Sequence, residues 1–126
     1  MINNNFNLII AGGRDFSDYN LLKNSFGFYR INNNLLNKNI TIISGNAKGA
    51  DILGEKLANE RNYELLIFKA NWDKYGKKAG FLRNEDMAKV ADGLLAFWDG
   101  NSSGTKNMID LAEKLNLITK IILYYK

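Results

Sequence analysis

Two glycines, a lysine and an aspartate fall within the eight residues SGNAKGAD, Ser44 to Asp51. A β-branched run, ITII, precedes them, and ILGEKLANE, with helical spacing, follows. Residues of these types where a strand becomes a helix suit the binding of an anion. Gly45 and Gly49 let the backbone approach a ligand closely. A helix opening near Ala47 points free N–H groups and a partial positive charge at the loop, and Lys48 adds a full charge. Asp51 is either a carboxylate that suits the helix dipole or a functional group, accepting from a ribose hydroxyl or fixing the glycine-rich loop. The stretch matches neither the G-x-G-x-x-G dinucleotide fingerprint nor the P-loop pattern.

Three further stretches carry similar chemistry. In AGGRDFSD, Gly12 and Gly13 permit a tight turn, and Arg14 can offer planar, bidentate bonds to phosphate or carboxylate. Arg14 can equally pair with Asp15 or Asp18. In WDGNSSGT, Ser102, Ser103 and Thr105 hydroxyls, with the amides around Gly104, would bind an oxyanion; a plain helix cap by Ser103 is the alternative. In NWDKYGKKAGFLRNEDMA, Trp72 or Tyr75 could stack on a base, and Lys77, Lys78 or Arg83 could meet phosphate. Trp72 can instead cover a sheet edge while the lysines stay in water. Arg83 falls near a predicted helix start, where a purely solvating role is less natural.

Composition narrows the chemistry. The chain has no histidine and no cysteine, so Ser-His-Asp and Cys-His catalysis are excluded within it, as is a His-liganded metal site. Acid–base work falls to Asp, Glu, Lys or Tyr. No carboxylate cluster demands a metal, although Mg²⁺ could accompany phosphates. The net charge of +4 leans towards anionic partners, but the lysines are scattered among carboxylates. No apolar run approaches the roughly 18 residues of a membrane span. MINNNFNLII lacks a basic region and a cleavage site. With no cysteine, this fits a cytoplasmic protein. Abundant Asn, Ile and Lys suggest an A+T-rich coding sequence, from a low-G+C bacterium or its phage.

The elements that must position these residues follow from apolar patterning. Strands are predicted at 6–11, 39–44, 63–68, 93–98 and 119–125. Helices are predicted from Ser17 or Asp18 to about Arg30, then over 47–62, 81–90 and 105–115. The segment 31–39 reads as a polar connector and 69–80 as a loop. The alternation, with near-continuous apolar strands, predicts one α/β domain over 1–126: a mainly parallel five-stranded sheet with helices on both faces. Ligands of such sheets sit beyond the carboxyl ends of the strands. The glycine-rich stretches therefore converge on one crevice.

Together AGGRDF, SGNAKGADILGE, NWDKYGKKAGFLRNEDMA and LLAFWDGNSSGT resemble the YspA-type branch of the SLOG superfamily, named for Smf and Lonely Guy proteins. The resemblance runs from about Ile9 to Ala112. It implies a Rossmann-like three-layer sandwich that binds a nucleotide or nucleotide derivative at the glycine loops. SGNAKGAD is similar to the S-G-x-A-x-G-x-D stretch of Smf/DprA proteins, which bind single-stranded DNA. Arg83-Asn84 with Met87 resembles the R-K-x-x-M stretch of Lonely Guy phosphoribohydrolases, and Gly104-Thr105 the G-T of their P-G-G-x-G-T-x-x-E loop. Those enzymes cleave an N-glycosidic bond with that arginine and that glutamate. Here Met108 holds the glutamate position, and sequence around Asp99-Gly100 replaces the P-G-G. Glycosidic cleavage needs a carboxylate beside a cationic sugar. Asp110, two residues on, is rotated roughly 200° around the helix. Asp51 or Asp99 would have to serve instead.

Three functions compete. One is a module that holds a nucleotide or an NAD- or ADP-ribose-like molecule, as sensor or sequestering protein. A second is a nucleotide N-glycosidase with Asp51 or Asp99 as carboxylate and Arg83 as phosphate anchor. A third binds single-stranded DNA through Trp72, Tyr75, Lys74, Lys77 and Lys78. The expected ligand-binding set is Gly12, Gly13, Arg14, Ser44, Gly45, Lys48, Gly49, Asp51, Trp72, Arg83, Asn84, Asp99, Gly100, Ser103, Gly104 and Thr105. The apolar tail LITKIILYYK predicts an edge strand or an interface, hence a homo-oligomer.

Overall fold

A computed structural model describes residues 4–125. Five strands form one wholly parallel sheet in the order β3-β2-β1-β4-β5: β1 (Asn5–Gly12), β2 (Asn39–Ser44), β3 (Glu64–Ile67), β4 (Gly93–Trp98) and β5 (Ile118–Leu123). Between them run α1 (Tyr19–Asn32), α2 (Ala50–Arg61), a one-turn helix α3 (Trp72–Tyr75), α4 (Ala79–Val90) and α5 (Ser103–Lys114). The result is the three-layer Rossmann-like α/β arrangement.

The central strand shows why the apolar runs are nearly unbroken. Leu8 and Ile10 of β1 face the layer containing Leu22 and Phe26 of α1 and Leu57 of α2. Ile9 and Ala11 face the opposite layer, with Met87 of α4 and Met108 and Ile109 of α5. Both faces of the inner strands are covered, so both are predominantly apolar. The edge strands β3 and β5 are more exposed, which fits the edge position expected of the LITKIILYYK tail.

Several boundaries differ from the sequence reading. Helix α2 begins at Ala50 and not near Ala47, because Asn46 (φ 60°) and Gly49 (φ 82°) hold the intervening backbone out of helical geometry. Helices α4 and α5 begin two residues earlier than read from the pattern, at Ala79 and Ser103. The segment expected to be loop contains α3 and a 3₁₀ turn over Gly76–Lys78. Strand β3 is shorter than expected, and β5 ends at Leu123, opposite Trp98, where β4 also ends. Leu35 is buried within the supposed polar connector. Among the described residues the non-glycine positions with positive φ are Asn34, Asn46, Asn62 and Asn116. Asparagine tolerates that conformation better than most residues, so part of its abundance has a backbone use.

Candidate functional site

The next strand in sequence after β1, β2, lies on one side of it, and β4 lies on the other. The connections leaving β1 and β4 therefore run to opposite faces of the sheet, and the carboxyl ends of these strands part around a crevice. A cavity of about 530 Å³ sits there. Its walls come from Gly12–Asp15 after β1, Ala47 and Asp51 after β2, and Asp99 with Ser102–Thr105 after β4. Trp72, Lys77, Arg83 and Asn84 close the remaining side, and Met87 and Met108 also line it.

The first two loops approach one another closely through backbone. The Gly13 carbonyl accepts from the Ala50 amide at 3.2 Å, and the Gly13 amide donates to the Phe97 carbonyl at 3.1 Å. A Cβ on Gly49 would fall 2.1 Å from the Gly13 carbonyl oxygen, and one on Gly12 2.3 Å from that of Phe97. Only glycine allows such approach.

Glu55 organises the second loop. Its Oε2 accepts from the Ser44 hydroxyl at 2.7 Å and from the Asn46 side-chain amide at 2.8 Å. The Asn46 backbone N–H donates to Ser44 Oγ at 3.0 Å. Glu55 can reach back because helical side chains lean towards the helix N-terminus. In the fourth loop, Asp99 Oδ1 accepts from the amides of Asn101 and Ser102, each at 2.8 Å. The N-cap of α5 is Ser102 rather than Ser103, and it makes no side-chain cap bond. The first turn of α5 thus keeps amide donors for an anion.

Asp51 and Arg83 set the electrostatics. Asp51 is 4% exposed. Burial raises its carboxyl from 3.8 to about 6, opposed by the Ala47 amide, the Arg83 charge and the Gly12 amide. Burial likewise lowers Arg83, opposed by Asp51 and reinforced by Arg14. Arg83 Nη1 donates to the Gly45 carbonyl at 2.9 Å. Asn84 is buried and donates to Asn107 Oδ1 at 2.9 Å, tying α4 to α5.

Eleven of the expected binding residues line this cavity: Gly12, Gly13, Arg14, Asp51, Trp72, Arg83, Asn84, Asp99, Ser103, Gly104 and Thr105. Gly45 and Lys48 line an adjoining cavity of about 570 Å³, which shares Arg14, Ala47, Trp72 and Arg83 with the first. Ser44, Gly49 and Gly100 line neither. Ser44 and Gly49 instead hold the loops in place, and Gly100 (φ 84°) makes a turn with open space around it. Sequence reasoning missed Glu55 and Lys69. Lys69 falls just after a strand's carboxyl end, a legible signal, whereas Glu55 lies one turn beyond Asp51 on α2 and carries none. Met108 reaches the cavity, so the position of the Lonely Guy glutamate does face the site, without a carboxylate.

Among the described residues no group of three or more Asp, Glu, His or Cys is placed to hold a metal ion, and no helix is long and apolar enough to cross a membrane. A family model described as YspA, cpYpsA-related SLOG family matches residues 6–75, from β1 through α3. The chain is 33% identical over 84 residues to the Gene 61 protein of Mycobacterium phage D29, covering 62% of this chain and 67% of that protein. No solved structure matches. The family match takes in the first two glycine loops and Trp72, and the chain belongs to the YspA, cpYpsA-related SLOG family.

Proposed function

We propose that the protein binds a nucleotide or nucleotide-derived small molecule in the crevice between β1 and β4, as a sensor or sequestering module. Membership of the SLOG family supports a nucleotide-related role in general. The observation that carries the finer reading is the convergence of three glycine-containing loops on one cavity whose far wall holds Arg83. Loop amides and a half-buried guanidinium suit a phosphate. Asp51 and Asp99 offer acceptors for sugar hydroxyls, and Trp72 offers a face for a base. The test is mass spectrometry of small molecules released by denaturing the purified protein, followed by thermal shift with a nucleotide panel. An intact nucleotide, or a shift that Arg83→Ala removes, supports this function. An empty protein that no nucleotide stabilises refutes it.

One observation favours a second reading. A carboxyl raised to about 6 in a cavity wall, as Asp51 is, can donate or accept a proton near neutrality. An N-glycosidase would use it at the scissile bond, with Arg83 holding phosphate. Release of free base from a nucleotide, abolished in Asp51→Asn with binding kept, would establish that activity. No release across the panel would dismiss it.

A further inference from the structure

We infer that the adjoining cavity is a second anion subsite, and that the ligand continues past its first phosphate as a pyrophosphate. This inference rests on the nucleotide-binding function proposed above. The two cavities differ in charge although they share Arg14 and Arg83. The first is balanced: Arg14, Lys77 and Arg83 stand against Asp15, Asp51 and Asp99. The second is lined by Arg14, Lys48, Lys69 and Arg83, with no carboxylate among its lining residues.

The fold creates this asymmetry. The backbone of Gly49 packs against Gly13 and Arg14, so Arg14 and Lys48 are brought to neighbouring loops. The bond from Arg83 to the Gly45 carbonyl fixes its guanidinium at the wall between the cavities. Lys69 follows β3 and completes the ring of cations. Arg14 and Arg83 already repel one another enough to help lower Arg83. An anion between them relieves that repulsion, and guanidinium forks suit adjacent phosphate oxygens. A polyanion running through both cavities is disfavoured by the three carboxylates of the first. The balanced cavity therefore takes the nucleoside with its first phosphate, and the cationic cavity takes the phosphate that follows.

Calorimetric titration of the full chain with the four common ribonucleoside monophosphates, their diphosphates and ADP-ribose tests this. Any nucleotide that binds should bind at least about tenfold more tightly as diphosphate than as monophosphate. Lys69→Glu, an exposed position that lines only the second cavity, should erase that gain while leaving monophosphate affinity within about twofold. ADP-ribose matching ADP would assign the pyrophosphate to a diester that runs on into a second sugar; ADP alone gaining would assign it to a terminal phosphate. Equal affinities for mono- and diphosphates, or a gain that survives Lys69→Glu, would overturn the subsite and leave nucleotide binding standing. Binding of neither class would overturn both.

Discussion

Asp51 and Arg83 close on Gly45 from two sides: Asp51 Oδ2 lies 2.8 Å, and Arg83 Cζ 3.0 Å, from the point where a Cβ on Gly45 would stand. Through the Gly45 carbonyl, Arg83 joins the second loop to α4, elements that no strand pairing connects. The pair also puts a partly protonated acid beside the proposed phosphate anchor. Gly45→Ala should push both side chains aside. The expected result is a loss of nucleotide affinity of about tenfold together with a lower melting temperature, since Asp51 is buried and held by backbone amides and Arg83 is bonded to the Gly45 carbonyl. Titration and thermal melting of the same sample read the two effects separately. An unchanged affinity would show that the pair does not touch the ligand.

Asp51 also gives a pH dependence with a definite sign. Its folded carboxyl, at about 6, lies above its ordinary value of 3.8. The native state therefore binds more protons than the unfolded chain across that window. Stability should fall as pH rises from about 4 to about 6 and then level off. Asp51→Asn cannot ionise, so its stability relative to wild type should grow over the same interval, by at most on the order of 3 kcal/mol. A difference independent of pH would rule out the raised carboxyl. The neutral amide also frees Arg83 of its counter-charge, so anion affinity should rise at about pH 7.5 relative to wild type and converge at about pH 5.

Two glycines separate backbone necessity from ligand access. Gly49→Ala meets the Gly13 carbonyl at 2.1 Å with φ at 82°. It should cost on the order of 2 kcal/mol or more, measured by denaturant unfolding. A Cβ on Gly104 has no neighbour within 4 Å, so Gly104→Ala should leave stability nearly unchanged. Similar costs for the two would mean that Gly49 does not pack against the Gly13 carbonyl.

Glu55 acts on the ligand only through the loop it holds. Glu55→Ala leaves the Asn46 amide without its acceptor and the buried Ser44 hydroxyl with only its longer bond to the Asp51 carbonyl at 3.4 Å, at about 1–3 kcal/mol. Glu55→Gln keeps a carbonyl acceptor and should recover part of that loss. Hydrogen exchange at Gly45–Ala47 should quicken in the alanine variant. Exchange that stays at the wild-type rate would deny Glu55 its positioning role.

How much of this could be read from residues alone depends on what set each boundary. Strands β2 and β4 were legible to the residue, because an apolar run there ends at glycine, asparagine or aspartate that cannot continue it. The start of α2 was not. Ala47 and Lys48 are good helix formers, yet the turn at Asn46 and the contact of Gly49 with Gly13 override their preference. Helix α3 was illegible because Trp72, Asp73, Lys74 and Tyr75 are all exposed, and a turn without a buried face has no period to detect. In the site, glycines and hydroxyls after the strands announced themselves. Glu55 did not, because its task is to bond two loop residues nine and eleven positions away, a pairing visible only once α2 folds back.

Both tryptophans of the chain border the crevice: Trp72 lines its wall, and Trp98 Nε1 donates to the Ser102 carbonyl at 3.1 Å, at the root of the α5 turn. Indole emission depends on polarity and on nearby charge. Every tryptophan photon this protein emits therefore originates beside the site, with no distant indole to dilute the signal. The unlabelled molecule carries its own optical gauge of occupancy, and a ligand stacking on Trp72 should quench it while one confined to the α5 turn should shift only the Trp98 component.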